Sequence, residues 1–250
     1  MIDIKIVADT FLKKGIPHYF SQPLVESGVV HGFLGRYQGG AEDATLREDL
    51  SAIFKTDISL ELNQIHSSDV IDVDKCGIEK IRQGVLSGKK LNGDAFVFNQ
   101  KQQVPFLAII RTADCLPVII KGSSRLALVH AGWRGVASGI VKKAVEAVLK
   151  ESADKAVQVV VGPHICAKCF EVMDDVRSAI GVEFSCAGND DKHYYVDMFK
   201  AITTQVYDVT REATLHNCGI CTVEDPHYNS YRRDQKSVGR NFTFILTEHL

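Results

Sequence analysis

The sequence predicts a mixed α/β or α+β fold in a single domain. Short β-rich segments are interspersed with stretches of helical apolar spacing, and no linker, repeat or composition shift divides the chain. With 250 residues, 45% hydrophobic and 24% charged, the chain is long enough for a sizeable core and resembles the globular average. We therefore expect one domain spanning 1–250.

The predicted strands are short runs rich in β-branched and aromatic residues. They lie near 57–65, 94–98, 104–111, 116–121, 125–130, 157–161, 219–223 and 240–247. Helices are predicted at 135–150 and 197–211, because apolar residues recur there every four positions.

Charge and cysteine content exclude several classes of protein. The net charge of -2, from 29 basic and 31 acidic residues, gives no electrostatic reason to bind nucleic acid or an anionic membrane. No stretch approaches the roughly 20 apolar residues of a membrane helix, and the first residues are not typical of a signal peptide. An odd number of cysteines, 7, argues against a disulfide framework. We expect a cytoplasmic protein with reduced thiols.

Three candidate metal ligands fall where predicted strands end: His66 in NQIHSSDV, Cys115 in RTADCLPV and His130 in LALVHAGWRG. Two imidazoles and a thiolate would form a zinc site of the catalytic type, with the fourth position left to water. Each residue alone is more commonly an ordinary structural residue. Sequence spacing does not bring the three together, so both interpretations stay open.

Arginines near glycine turns are candidate anion ligands. Arg134 lies in HAGWRG, where a strand, a glycine turn and a helix follow one another, so that backbone amides and a guanidinium would favour phosphate. Arg36 in HGFLGRYQGG and the pair Arg232 and Arg233 in SYRRD are further candidates. The structural alternatives are a turn that lets the helix pack and a salt-bridged turn.

Two CxxC pairs, Cys166/Cys169 and Cys218/Cys221, suggest a four-cysteine zinc site. The 48 residues between the pairs, 170–217, greatly exceed the roughly 15–20 of a compact zinc ribbon, which argues against such a site. The PHICAKC stretch matches half of the zinc deaminase signature, but no H-x-E precedes it, so that deaminase fold is excluded.

Several motifs occur together in a characteristic order: HGFLGRYQGG, QIHSSDV, GDAFVF, RTADCLPV, HAGWRG, GPHI with CFEV, and CT with SYRRD and GR. Through these motifs the sequence resembles a family that was long named multicopper polyphenol oxidase or laccase domain. Members of this family were later assigned as purine nucleoside phosphorylases. The similarity runs from about 28 to 247, which makes 1–27 peripheral to the motif-bearing core. It implies that His66, Cys115 and His130 are catalytic and bind zinc. Copper is the expected substitute, because Cu²⁺ can outcompete Zn²⁺ for His and Cys ligands.

The resemblance also implies a four-layer alpha/beta/beta/alpha fold related to cysteine hydrolases. It implies phosphorolysis of adenosine, inosine and methylthioadenosine to the free base and ribose 1-phosphate or its methylthio analogue, with an accompanying adenosine deaminase activity. The expected partners are then a small nucleoside and phosphate, bound by a monomer or small homo-oligomer.

The sequence also bears on functions other than phosphorolysis. A conventional laccase needs about ten histidines, many in H-x-H pairs, whereas this chain has 9 and no such pair. Weak copper-dependent phenol oxidation at a single site stays open. So does a metal-free amidase acting on a cell-wall precursor, with Cys115 as nucleophile and His130 as base. A zinc-containing interaction module is less favoured, because an open three-ligand site has little use in a purely structural role.

Overall fold

The computed structural model describes residues 4–37, 43–150, 152–235 and 239–249. Its strands are β1 His18–Tyr19, β2 Val30–Leu34, β3 Ser59–Leu60, β4 Val70–Asp72, β5 Ala95–Asn99, β6 Lys101–Gln102, β7 Leu107–Thr112, β8 Leu116–Lys121, β9 Arg125–Ala131, β10 Val157–Val161, β11 Glu171–Met173, β12 Ser185–Ala187, β13 His193–Val196, β14 Ala213–Asn217, β15 Asn241–Leu246 and β16 Glu248–His249.

The helices are α1 Ile4–Lys13, α2 Gln22–Glu26, α3 Asp43–Phe54, α4 Val73–Cys76, α5 Ile78–Leu86, α6 Trp133–Ala137, α7 Ile140–Leu149, α8 Asp174–Ile180, α9 Met198–Tyr207 and α10 Tyr231–Asp234. Among the described residues, no helix is long and apolar enough to cross a bilayer.

Two large mixed sheets form the centre of the molecule. One has the strand order β1-β2-β15-β7-β3, and the other has the order β14-β10-β8-β9-β5-β4. Both sheets combine parallel and antiparallel neighbours. In the five-stranded sheet β7 is antiparallel to β15 and parallel to β3. In the six-stranded sheet β8 and β9 are antiparallel, whereas β10 and β14 are parallel. Two smaller sheets, β11-β13-β12 and β16-β6, complete the described strands. This is the mixed α+β architecture that the sequence predicts.

The four inner strands of the six-stranded sheet, β10, β8, β9 and β5, are buried on both faces, which explains their nearly continuous apolar sequences. In β9, Leu126 and Leu128 belong to one core cluster, while Ala127 and Val129 belong to another. The cluster of Leu126 and Leu128 also contains Phe33 from the five-stranded sheet, so it fills the space between the two sheets. Alternate residues of one strand thus stabilise two different cores.

Helices cover the outer faces of both sheets. Phe11 of α1 and Leu50 of α3 pack with Phe244 of the five-stranded sheet. On the six-stranded sheet, Val141 of α7 and Ile202 of α9 pack together with the outward-facing strand residues. The amphipathic spacing of α7 and α9 in the sequence therefore corresponds to a buried helix face.

Six of the eight predicted strands are confirmed. The segments 116–121 and 157–161 match β8 and β10 at both ends, and the predicted strands near 94–98, 104–111, 125–130 and 240–247 correspond to β5, β7, β9 and β15. The helix predicted at 197–211 is α9, which ends at Tyr207.

Three predictions of secondary structure need correction. The segment 219–223 is not a strand; β14 lies just before it, and Gly219 has a φ of 73° that ends the extended chain. Of the strand predicted over 57–65, only the two residues of β3 pair with a neighbouring strand of the five-stranded sheet. The single helix predicted over 135–150 is two helices, because Gly139 adopts a left-handed φ of 76° between α6 and α7.

The segment 1–27, expected to be peripheral, contributes both an edge and part of the core; residues 1–3 lie outside the described ranges. Its strand β1 pairs with β2 at the edge of the five-stranded sheet. Phe11 and Leu24 are fully buried in core clusters. These side chains make the segment more integral to the core than expected.

Candidate functional site

His66, Cys115 and His130 come together at one end of the two-sheet core. Their ligand atoms all lie within 4.8 Å of one another. Strand register explains the convergence of the last two: β8 and β9 pair so that Pro117 lies opposite His130, which places Cys115, just before β8, beside the end of β9. The His66 ring lies edge-on to the His130 ring, with 4.9 Å between centroids.

His130 reaches this position through the alternation of β9. It continues the series of Leu126 and Leu128, whose side chains face the space between the sheets. The imidazole is buried, and its ligand nitrogen lies within 4.8 Å of the ligand atoms of His66 and Cys115.

Asp94 holds two of the three residues in place. This fully buried carboxylate lies just before β5. It accepts five hydrogen bonds: from the N–H groups of Ile65 (3.3 Å), His66 (3.0 Å) and Ser67 (2.6 Å), from Ser67 Oγ (2.8 Å) and from His130 Nδ1 (2.8 Å). Because His130 Nδ1 is engaged with Asp94, its Nε2 is left for the ligand cluster. Sequence reasoning missed this role of Asp94, although GDAFVF was a recognised motif.

The loop that carries His66 is tightly constrained. His66 adopts a φ of 61°, a left-handed conformation that is strained for a residue with a side chain. Gly132 makes room for its ring, because a Cβ atom there would lie 2.7 Å from His66 Cδ2 and 3.3 Å from Cys115 Sγ. The first glycine of HAGWRG, Gly132, is thus required because it packs closely against the candidate ligands.

The charged forms of Cys115 and His130 stabilise each other. Burial opposes ionisation of the Cys115 thiol, but the neighbouring His130 imidazolium lowers its pKa to about 6. Burial likewise opposes protonation of His130, yet the Cys115 thiolate and Asp94 raise its pKa to about 9. Without a metal, the pair is therefore a thiolate and an imidazolium near neutral pH. Such a thiolate is suited to metal binding or to nucleophilic attack.

Asp114 fixes the turn that precedes Cys115. It has a φ of 83° and accepts hydrogen bonds from Thr222 Oγ1 and from the Arg232 N–H, both at 2.6 Å. The Asp114 carbonyl in turn accepts from the Ile165 N–H at 3.0 Å. The carboxylate therefore links Cys115 to distant segments of the chain, a role that the sequence did not reveal.

A cavity of about 800 Å³ opens beside the three candidate ligands, which all line it. Its described lining includes four arginines: Arg111, Arg134, Arg232 and Arg240. Aromatic side chains form part of the wall: Trp133, Phe170 and Tyr231. A site of this size and lining suits a small anionic or aromatic ligand. The sequence did not single out Arg111, whose only signal was its place in RTADCLPV.

Two of the four predicted anion ligands reach the cavity. The Arg134 guanidinium is exposed and lies 4.2 Å from the centroid of the Trp133 ring. The Arg232 guanidinium lies 5.8 Å from the centroid of Phe170. Both cations are thus held by aromatic faces at the cavity wall.

The other two predicted anion ligands are engaged elsewhere. Arg36 forms an ion pair with Asp234. Arg233 donates to the carbonyls of Thr222 and Tyr228, each at 2.7 Å, and to both carboxylate oxygens of Asp234 at 2.8 Å. Within the described chain neither arginine lines the cavity, and both brace the loop around α10.

Comparison with known proteins gives matches over most of the chain. A purine nucleoside phosphorylase of Clostridium acetobutylicum is 32% identical over 196 residues, which cover 74% of this chain and 75% of that protein. Adenosine deaminase RL5, from an unknown prokaryotic organism, is 41% identical over 73 residues, 28% of each chain.

The fold has close counterparts among solved structures. The crystal structure of YlmD from Geobacillus stearothermophilus matches with a TM-score of 0.77 and 20% identity, over 92% of this chain and 94% of that one. The family model described as multi-copper polyphenol oxidoreductase laccase matches residues 41–248, which include all three candidate ligands and the cavity arginines. The chain belongs to this laccase-like family.

Proposed function

We propose that the protein is a zinc-dependent purine nucleoside phosphorylase acting on adenosine, inosine and methylthioadenosine, with adenosine deaminase as a second activity. The observation that carries the proposal is a cluster of two imidazoles and a thiolate that opens onto an arginine-lined cavity. The named relative from Clostridium acetobutylicum supports the phosphorylase assignment.

The donor set of His66, Cys115 and His130 fits zinc. Nitrogen and thiolate ligands suit this ion, and three protein ligands leave one coordination position open, as in catalytic sites. Asp94 supplies the carboxylate behind His130 that commonly orients metal-binding histidines. A bound zinc ion would contribute Lewis-acid chemistry. The same donors also accept copper, which we propose as a substitute metal.

Arg134 and Arg232 are proposed to hold the phosphate. In phosphorolysis, a phosphate oxygen forms a bond to the anomeric carbon while the bond from that carbon to the purine nitrogen breaks. The electron pair leaves with the purine, and the sugar becomes ribose 1-phosphate. Guanidinium groups would bind and orient the phosphate through charge-assisted hydrogen bonds. Both arginines lie on the cavity wall, as this role requires.

The nucleoside is proposed to bind along the aromatic part of the wall. Trp133, Phe170 and Tyr231 offer ring faces and edges for a purine and a sugar. The cavity volume of about 800 Å³ lies within the usual range for small-molecule sites. Methylthioadenosine differs from adenosine in a substituent on the sugar. Its binding therefore depends on sufficient space in the part of the cavity that holds the sugar.

Adenosine deamination is the second activity that we propose. In this reaction water adds to the purine carbon that bears the amino group, and ammonia leaves, so that adenosine becomes inosine. The similarity to a protein named adenosine deaminase supports it, over 28% of the chain. Phosphate takes no part, which makes the two activities separable by experiment.

A second candidate function follows from Cys115, His130 and Asp94 as a group. A thiolate beside an imidazolium that a carboxylate orients is the arrangement of a cysteine hydrolase. In that case Cys115 would attack an amide carbonyl, for example in a cell-wall precursor, and no metal would be needed.

The layered architecture and the cellular setting are proposals as well. We propose the four-layer order alpha/beta/beta/alpha, which the three core clusters support. All seven cysteines are free thiols, which supports a cytoplasmic protein. Its partners would be nucleosides and phosphate, bound by a monomer or small homo-oligomer.

Chromatography of adenosine and inosine reactions tests the proposed function. Zinc-loaded and chelated protein are each incubated with either nucleoside, with and without phosphate. We expect hypoxanthine from inosine only when zinc and phosphate are both present, and inosine from adenosine without phosphate. Amide hydrolysis by chelated protein, with neither nucleoside reaction, would favour the second candidate.

A further inference from the structure

A second cluster of thiols lies outside the candidate site. The ligand atoms of Cys166, Cys169 and Cys221 all lie within 4.8 Å of one another. All three are free thiols. Cys218, the remaining cysteine of the two CxxC pairs, is directed elsewhere; its sulfur accepts a hydrogen bond from the Ile220 N–H at 3.4 Å. The cluster is thus built from three of the four cysteines.

Neighbouring parallel strands overcome the long sequence separation between these cysteines. β10 and β14 pair so that Val161 lies opposite Asn217, where both strands end. Beyond the strands the two segments stay together, since the Thr222 N–H donates to the His164 carbonyl at 3.0 Å and His164 pairs with Cys221 in an isolated bridge. Sheet topology, not a compact ribbon, therefore brings the thiols to one place.

A backbone N–H group is directed at one of the three sulfur atoms. The Cys166 N–H donates to Cys221 Sγ at 3.4 Å. The Cys169 N–H donates to the Cys166 carbonyl at 3.0 Å, which closes the short turn that holds Cys166 and Cys169 next to each other. A hydrogen bond to sulfur stabilises the thiolate, which is the protonation state that binds metal.

A cation lies beside the cluster. Lys168 forms an ion pair of 2.8 Å with Glu224. Three thiolates around a divalent ion carry one net negative charge, and Lys168 is the positively charged residue that lies between Cys166 and Cys169 in the sequence.

We propose that Cys166, Cys169 and Cys221 bind a second zinc ion. Three thiolates suit zinc, and because Cys166 and Cys169 are half-buried, water can occupy the fourth position. The ion would join the two loops beside the cavity. The Arg232 guanidinium donates to the Cys169 carbonyl at 3.3 Å, so the ion would stabilise the wall that carries this arginine. The proposal does not depend on which reaction the cavity performs.

Zinc content and zinc ligation test the proposal directly. Untagged protein is reconstituted with zinc in a phosphine reductant and desalted, then analysed by elemental analysis and X-ray absorption. We expect two equivalents of zinc per chain and an average of two sulfur ligands per zinc, from one sulfur at the first site and three at the second. The Cys166→Ser/Cys169→Ser variant should retain one equivalent, with one sulfur ligand.

The remaining cysteine of the CxxC pairs provides the matched control. Cys218→Ser should keep two equivalents, and His66→Ala should keep one equivalent with three sulfur ligands. If the reduced wild-type protein binds only one zinc ion per chain, with a single sulfur ligand, the proposal is overturned. This test uses the wild-type protein and so does not depend on the folding of any variant. Equal zinc loss in Cys218→Ser and in the double variant would overturn it too.

Discussion

Replacing Asp94 by asparagine is expected to weaken zinc binding while leaving the shape of the residue unchanged. Oδ1 accepts from the His66 N–H and from His130 Nδ1, and Oδ2 accepts from the N–H groups of Ile65 and Ser67 and from Ser67 Oγ. An asparagine offers one oxygen and one NH2 group. Whichever way it is oriented, two N–H donors lose their acceptor.

The size of the effect follows from these lost contacts. A buried donor without a partner costs about 1–3 kcal/mol. Since the N–H groups of Ile65, His66 and Ser67 are only part-buried, we expect the lower part of this range, about 2–3 kcal/mol of unfolding free energy for two donors. This corresponds to a Tm lowered by about 4–12 °C. Loss of the carboxylate behind a metal-binding histidine weakens metal affinity by about 10–100-fold.

Competition with a chromophoric chelator measures the zinc Kd, and circular dichroism measures the Tm. Asp69→Asn serves as the matched control, because Asp69 is an exposed carboxylate three residues from His66 in the sequence. It removes the same charge and should leave the Kd and the Tm unchanged. A well-folded Asp94→Asn protein with the wild-type zinc Kd would refute the assignment of Asp94 as the residue that orients the ligands.

Three further predictions concern the same site. Gly132→Ala should lower zinc occupancy, as measured by elemental analysis, because the new Cβ would lie 2.7 Å from His66 Cδ2. In metal-free protein, iodoacetamide should alkylate Cys115 at a rate that rises through about pH 6 and then levels off, since burial opposes ionisation but the His130 imidazolium lowers the pKa to about 6; zinc should slow the reaction. Arg134→Ala should raise the phosphate KM of inosine phosphorolysis about ten- to a hundredfold, and Arg134→Lys less, because a charge-assisted contact is worth about 1.5–3 kcal/mol.

Each of these predictions has an internal control. Val136 follows the same glycine turn, and Val136→Ala should leave zinc bound, since it only shortens a core side chain. The exposed thiol of Cys186 should react with iodoacetamide equally with and without zinc. For Arg134→Ala, phosphate-independent deamination should be much less affected. A joint fall of both activities and the Tm would make Arg134 a structural residue.

The central strands could be predicted from the sequence because burial on both faces leaves a clear apolar signal. Segments such as 116–121 and 157–161 are nearly continuous runs of Val, Ile and Leu, which few other structures accommodate. The single helix predicted over 135–150 is two helices, because periodicity does not reveal a left-handed residue between them. Gly139 could equally be a tolerated helical glycine until its φ of 76° is known.

The candidate ligands could be named from the sequence, but their supporting contacts could not. His66, Cys115 and His130 stand in recognisable motifs, whereas the bonds to Asp94 depend on tertiary structure. The bond from His130 follows from the register of β5 and β9, and the other four come from the folded loop of residues 65–67. The cysteine cluster shows the same limit. A rule based on spacing argued against zinc at Cys166, and only the parallel pairing of β10 and β14 reverses that argument.

We propose that the site uses zinc and phosphate together to cleave a nucleoside. Phosphorus NMR of inosine and phosphate, with protein titrated from the metal-free state to full zinc loading, is the decisive measurement. We expect one ribose 1-phosphate for every hypoxanthine released, at a rate that rises in proportion to zinc bound at His66, Cys115 and His130. Free ribose in place of ribose 1-phosphate, or an undiminished rate in zinc-free protein, would refute this function.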